Sequence, residues 1–180
     1  MTRYARLYLY FLRFSFSRAM EFRVDFFFRI FMDSLFYAVT LAFFWVLYKH
    51  SPFMGGWGFD QALVFAAGVF LNDALHMTLF ANNLWWFPVF VNKGDLDYYL
   101  VRPISSLFFL SLRDFAANSF INMLLAFVIL VWSLARYPEP LGAERISLFG
   151  ALLLLGVFIL YLLNFFFLIP VFWLHNASGL

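Results

Sequence analysis

Asp73 and His76 are the residues best suited to acid–base chemistry, because a carboxylate and an imidazole stand three residues apart within an apolar stretch. At that spacing they occupy neighbouring positions on one helical surface. A charge in lipid costs several kcal/mol, so the pair indicates a proton relay or a substrate-lining pair. The alternative is structural: Asp73, protonated or hydrogen-bonded to a neighbouring helix with His76 as its partner, holds two helices together.

Four amides also interrupt the apolar stretches: Asn72, Asn118, Asn122 and Asn164. Asn118 and Asn122 lie four residues apart, on one face of a helix. We expect these two and Asn164 to hydrogen-bond between helices, because a polar side chain in lipid needs a partner. No nucleophile, base and orienting group come together in the sequence, so it predicts no catalytic residues.

The composition indicates which elements must position these groups. The chain is 65% hydrophobic and only 12% charged, with a mean hydropathy of +0.86, whereas soluble proteins are about 25% charged. A β-barrel needs alternating polarity, but residues 152–163 are apolar on every face. The chain lacks cysteine, and its three histidines (His50, His76 and His175) are scattered, so we predict no metal site. The prediction is an all-α, polytopic transmembrane bundle.

Four stretches are long enough to cross a hydrocarbon core of about 30 Å, which takes about 20 helical residues. They cover residues 26–48, 61–82, 115–135 and 146–172, within a single transmembrane domain of residues 1–180. We expect Pro170 to kink or end the last helix. Nine basic residues fall before the first span, in its first turn (Arg29) or between the second and third spans, and three fall in the other loops. This asymmetry predicts a cytoplasmic N-terminus in the inner (plasma) membrane.

Residues 3–19 have the pattern of an amphipathic helix. Polar side chains recur at spacings of three and four residues: Arg3, Arg6, Tyr10, Arg13 and Ser17. We expect this helix to lie on the cytoplasmic membrane surface, with Arg3, Arg6 and Arg13 toward anionic lipid headgroups. The alternative is an extension of the first span with topogenic arginines. A second stripe should pair its opposite charges along one face: Arg18, Glu21, Asp25, Arg29 and Asp33.

A longer charged segment, residues 92–114, lies between the second and third spans, and residues 84–106 are predicted to be a cytoplasmic coupling segment. An aromatic stretch precedes Gly94, which can end a helix. Asp95 can cap a short new helix, and Pro103 suits the first turn of the next. The segment therefore predicts a helix, a turn and a helix beside the membrane, where a soluble partner could exert force on two spans.

Here the sequence resembles the membrane subunits of type-two ABC transporters, in the branch marked by G-x-L-D-x-x-L-x-R-P between the second and third spans. The matching residues are Gly94, Leu96, Asp97, Leu100, Arg102 and Pro103. The resemblance implies an export permease that pairs with a second permease, as a homodimer or heterodimer. It implies six spans, so two more are expected beyond the four present here.

The resemblance further implies that residues 94–103 dock on a separate ATP-binding subunit that holds ATP and Mg²⁺. This chain has no G-x-x-x-x-G-K-[ST] phosphate loop and is expected to bind no cofactor itself. Its basic residues sit where membrane topology requires them, so no nucleic-acid partner is predicted. Two alternatives stay open: an intramembrane enzyme or proton-coupled transporter that uses Asp73 and His76, and a membrane assembly subunit without turnover.

Overall fold

The computed structural model describes residues 2–51 and 53–173, with side chains from Tyr4 onward. The side chain of Arg3, and His175 with the rest of the C-terminal end, lie outside the described residues. The α-helices of the described part are α1 (Thr2–Glu21), α2 (Arg23–His50), α3 (Phe59–His76), α4 (Asn82–Asn92), α5 (Leu96–Leu100), α6 (Ser106–Leu112), α7 (Ala117–Ala135) and α8 (Ala143–Leu168).

Four helical segments are long and apolar enough to cross a membrane: α2, the continuous helix Phe59–Asn92, α7, and α8 with the 3₁₀ turn that follows it. The predicted all-α bundle with four candidate spans is confirmed. The second segment is longer than expected, because a π-helical turn, Met77–Ala81, joins α3 directly to α4. As Pro170 indicated, α8 ends at Leu168 and continues as the 3₁₀ turn Ile169–Phe172.

The helix α3 lies at the centre and packs against α2, α7 and α8. Small side chains make its contact with α7 close, since Ala67 and Ala126 have no exposed surface. Gly156 of α8 has the same effect, because a Cβ atom there would lie 2.5 Å from Nδ2 of Asn72. Packing of this kind replaces the hydrophobic driving force that helices lack in lipid.

The helices α6 and α7 are separated by a short non-helical stretch, residues 113–116. The helical part of the predicted third span therefore begins at Ala117 instead of residue 115. The stretch is largely buried, with Asp114 and Phe115 among the buried residues. Its backbone N–H groups consequently need partners other than those that regular helical hydrogen bonding supplies.

Candidate coupling segment and its supporting contacts

The turn before α5 depends on a glycine. Gly94 has φ of +76°, a conformation that residues with a Cβ rarely adopt, and its N–H donates to the carbonyl of Val91 at the end of α4. Asp95 takes the N-cap position of α5, but its side chain makes no capping hydrogen bond, contrary to the prediction. Its backbone is already helical there, whereas a capping residue normally has an extended backbone.

Pro103 does not begin the next helix, which corrects a second prediction. It lies in the turn between α5 and α6, and α6 starts at Ser106. Ser105 is the cap, since its Oγ accepts a hydrogen bond from the N–H of Phe108 at 3.4 Å. A serine with an extended backbone satisfies an orphan helical donor, which proline cannot do.

One side of α5 and the turn after it is open. Tyr98, Leu100 and Val101 are 64%, 54% and 84% exposed, and Asp97 and Pro103 are exposed beside them. We call these five residues the α5 surface. Apolar side chains on a short helix, with one carboxylate among them, form a surface suited to docking on another protein.

The opposite side of α5 is held by aromatic rings. The ring centroid of Tyr99 lies 5.3 Å from that of Phe90 in α4 and 5.2 Å from that of Phe109 in α6. The Tyr99 hydroxyl accepts a 2.6 Å hydrogen bond from Nη1 of Arg113. The Arg113 guanidinium also lies 5.1–5.7 Å from the centroids of these three rings. The cation and the rings together fix α5 against α4, at the end of the second span, and against α6, which precedes the third.

Arg102 is partly buried. Its guanidinium lies 4.3 Å from the ring centroid of Tyr98 on the α5 surface and 5.3 Å from that of Phe109 in α6. Leu96 is also partly buried. Of the motif residues, Asp97, Leu100 and Pro103 are therefore exposed, while Leu96 and Arg102 are partly covered.

The helix α1 packs along α6 with one face. Its covered positions follow spacings of three and four residues and comprise Leu7, Tyr8, Phe11, Leu12 and Ser15. Ring contacts join Phe11 to Phe109 at 5.5 Å and Tyr4 to Phe108 at 4.9 Å. The predicted polar side chains Arg6 and Arg13 are exposed on the other side.

Asp114 is the centre of a polar cluster that the sequence did not reveal. Its side chain accepts hydrogen bonds from Arg18 and Ser15 of α1, and it is only 8% exposed. The bond to Asp114 raises the pKa of Arg18 above its usual value, so this arginine stays charged. Asn83 of α4 contacts the backbone of the same residue. These four residues, Ser15, Arg18, Asn83 and Asp114, are called the Asp114 junction below.

The junction and Thr78 provide partners for the N–H groups of residues 114–116 and for the carbonyl of Asp114. Asn83 accepts from the N–H of Asp114 and donates to its carbonyl, both at 2.7 Å. Ser15 Oγ accepts from the N–H of Phe115 at 3.1 Å, and the carbonyl of Thr78 accepts from the N–H of Ala116 at 3.2 Å. Thr78 lies in the π-helical turn, where the regular helical pairing of carbonyls is interrupted. The π-helical turn thus provides a hydrogen-bond acceptor for the non-helical stretch.

Two signals could have pointed to this cluster. Asn83 lies in an otherwise apolar, aromatic stretch, and Arg113 and Asp114 form a charged pair between two apolar helices. The predicted pairing along the second stripe holds for Asp25 and Arg29, whose atoms lie 2.7 Å apart. Arg18 instead pairs with Asp114, because α1 ends before α2 and the stripe is not one continuous helix.

The intramembrane polar residues are more loosely connected. Asn122 is buried and donates to Asp33 of α2, while its Oδ1 has no partner among the residues that the structure describes. Asn72 donates to the carbonyl of Leu153 in α8 at 3.0 Å. Both side chains join helices, so the prediction for Asn122 agrees with the geometry.

Asn118 and Asn164 do not bridge helices. Asn118 donates to Ser119 of its own helix at 3.5 Å, and Asn164 donates to the carbonyl of Leu160 at 2.8 Å. Asn164 is exposed on α8. Among the described residues neither amide donates to another helix, so the predicted interhelical bonds are not found there.

Asp73 and His76 do not form the expected pair. Among the described residues, no hydrogen bond or ion pair within 4.0 Å joins them. His76 is buried, and its Nε2 has no partner in that part of the chain. The two residues are neighbours on the helix, but the Asp73 side chain is exposed whereas that of His76 is buried. Within residues 2–51 and 53–173, no group of three or more His, Asp or Glu side chains is arranged to hold a metal ion.

The helical bundle, with four segments able to cross a membrane, belongs to the class of multi-pass membrane proteins. Residues 34–180 match the family model described as ABC-2 family transporter protein, so the chain is a member of that family. It is therefore the membrane permease of an ABC transporter rather than an enzyme, and its family implies association with an ATP-binding subunit. Comparison with curated proteins and with solved structures gave no match.

Proposed function

We propose that this chain forms the transmembrane pathway of an ATP-driven exporter of amphipathic molecules, with ATP and Mg²⁺ held by a separate subunit. In this proposal the ATP-binding subunit docks on the α5 surface, and a second permease completes the pathway. The resemblance of residues 94–103 to the branch motif supports this assignment. The N-terminus is cytoplasmic in an inner membrane, in line with the distribution of basic residues.

The single observation that carries the proposal is the contrast between the two sides of α5. The outward side exposes Tyr98, Leu100 and Val101, whereas the inward side is fixed to α4 and α6 through Tyr99. A docking element must be both accessible and rigidly attached, since a loosely held helix would absorb the partner's movement. Nucleotide binding can then shift the spans between states only as far as the partner's differential affinity allows.

The N-terminal helix supports the same orientation. Arg6 and Arg13 are exposed on the side of α1 away from α6. A basic face next to the membrane favours anionic lipid headgroups, each charge near the surface contributing about 1 kcal/mol. Lipid binding by α1 is thus part of the proposal, with Arg3 as a further candidate.

Docking is tested by placing a charge on the α5 surface. We expect Val101→Asp to weaken co-purification of the ATP-binding subunit in mild detergent by tenfold or more, which corresponds to about 1.4 kcal/mol. The reason is that a carboxylate at the most exposed apolar position would be desolvated on docking. The measurement is the yield of the complex at fixed permease concentration.

Phe53→Asp is the matched control, because Phe53 is 74% exposed in the loop between α2 and α3. This loop and α5 lie at opposite ends of the continuous helix Phe59–Asn92. It should leave the complex intact. Equal yields with Val101→Asp and the parent chain would contradict docking on the α5 surface.

A further inference from the structure

Two consecutive residues between α6 and α7 hold two different cytoplasmic helices. Arg113 holds α5, through its 2.6 Å hydrogen bond to the Tyr99 hydroxyl. Asp114 holds α1, through the side chains of Arg18 and Ser15. The two helices are therefore linked across a single peptide bond.

The backbone at this point is non-helical but is held by hydrogen bonds to other segments. Asn83 holds both backbone groups of Asp114, and Thr78 holds the N–H of Ala116. A displacement of Arg113 is consequently passed to Asp114 instead of being lost in a mobile loop. The same backbone continues directly into α7, which begins at Ala117.

Side-chain packing follows the same route. Phe109 contacts Tyr99 of α5 on one side and Phe11 of α1 on the other, with centroid distances of 5.2 Å and 5.5 Å. Tyr4 of α1 contacts Phe108, and its hydroxyl accepts a hydrogen bond from the N–H of Ser105 at 3.4 Å. The helix α1 thus contacts α6 through two aromatic pairs, in addition to its contacts at the Asp114 junction.

We propose that Arg113 and Asp114 transmit movement of α5 to the N-terminal helix α1, so that α1 moves with the docking element during the transport cycle. Tyr99 and Arg18 are positioning residues at the two ends of this link. The inference rests on the proposed function, because it needs an ATP-binding subunit that moves α5. Support for it requires a measured energetic coupling between Tyr99 and Arg18.

A double-mutant cycle tests the link. Tyr99→Phe keeps the ring but removes the hydroxyl that Arg113 bonds, and Arg18→Gln removes the charge that pairs with Asp114. Tyr99 and Arg18 lie on different helices, and no contact between them is found among the described residues. Independent effects of two such sites should add.

The readout is a nucleotide-driven change in labelling. The chain has no cysteine, so Ser51→Cys after α2 gives one site for a membrane-impermeant maleimide. The complex with the ATP-binding subunit is labelled in membranes without nucleotide and with ATP plus vanadate. The ratio of the two labelling rates measures the conformational change.

We expect each variant to reduce that ratio by about threefold or more, and the double variant to be no worse than the stronger single one. If the two contacts act in series, the loss of either one already interrupts transmission, so the loss of both has no further effect. Tyr10→Phe and Arg23→Gln are matched controls that make the same two exchanges at exposed side chains outside the link and the α5 surface, and they should leave the ratio unchanged.

Arg18→Lys, which keeps the charge, should restore most of the ratio and serves if Arg18→Gln assembles poorly. Independent, multiplying losses would overturn the link, as would unchanged ratios in complexes that still form. A parent complex that does not form, or shows no nucleotide-dependent labelling, would instead contradict the proposed function. The two failures are thus distinguishable.

Discussion

The Asp114 junction and the intramembrane polar residues differ in how completely their groups are paired. At the junction, Asn83 alone makes hydrogen bonds to both backbone groups of Asp114. Within the spans, by contrast, Nε2 of His76 and Oδ1 of Asn122 are buried without a partner in the described part of the chain. The two regions lie on the same long helix, Phe59–Asn92, or pack against it.

The difference separates groups that hold the helices in place from groups that can take part in binding or transport. A fully bonded buried cluster holds elements in one arrangement, because each group it contains would be costly to expose alone. An unpaired buried atom keeps a capacity to bind water, a proton or a polar part of a substrate. We therefore expect substitutions at the junction to cost stability, and substitutions within the spans to cost less stability than function.

The largest effect is expected for Asn83→Leu. It leaves the N–H and the carbonyl of Asp114 buried without partners, and the free energy of unfolding should fall by about 2–4 kcal/mol. Thermal unfolding of the purified protein in detergent measures this loss. Asn82→Leu is the control, since the neighbouring amide is not part of the junction. Equal melting temperatures for the two variants would remove the structural role assigned to Asn83.

A smaller effect is expected for Asn122→Leu, which removes the bond to Asp33 between α7 and α2. Hydrogen bonds between transmembrane helices contribute about 0.6 kcal/mol on average and up to about 1.7 kcal/mol. The same unfolding measurement applies, with Asn118→Leu as the control on the same helix face. The interhelical role of Asn122 would be refuted if the control lost as much stability.

The smallest effect on stability is expected for His76→Leu. The ring has a buried nitrogen without a partner, and its replacement by an apolar side chain of similar size should change the unfolding free energy by less than about 1 kcal/mol. The nucleotide-dependent labelling ratio at Ser51→Cys is measured in parallel. A large loss of stability would show that Nε2 has a bonding partner after all. A lower ratio at unchanged stability would assign the ring a part in transport.

Much of the fold follows from local patterns. Long apolar stretches predict the four spans, and Gly94 and Pro170 mark the helix ends that the structure shows there. Pro88 would ordinarily end a helix, so the sequence did not predict that the second span continues to Asn92. The exposed side of α5 follows from the motif only in part, since Arg102 is partly buried against Tyr98 and Phe109.

The intramembrane asparagines show more clearly what the sequence pattern does not determine. Asn72 and Asn122 join helices, whereas Asn118 and Asn164 bond within their own helices. The residue type is the same in each case. Whether another helix lies within reach of the amide is a matter of packing, and helical spacing alone does not contain that information.

The amino-acid sequence by itself determined that this chain must be a helical bundle in lipid, because its backbone can satisfy its hydrogen bonds there only within helices. It also determined where Arg18 and Asp33 stand along the chain. Only the tertiary structure decided their partners, Asp114 and Asn122, which are 96 and 89 residues away. Contacts over such separations arise from the packing of whole helices, whereas periodicity describes neighbours a few residues apart.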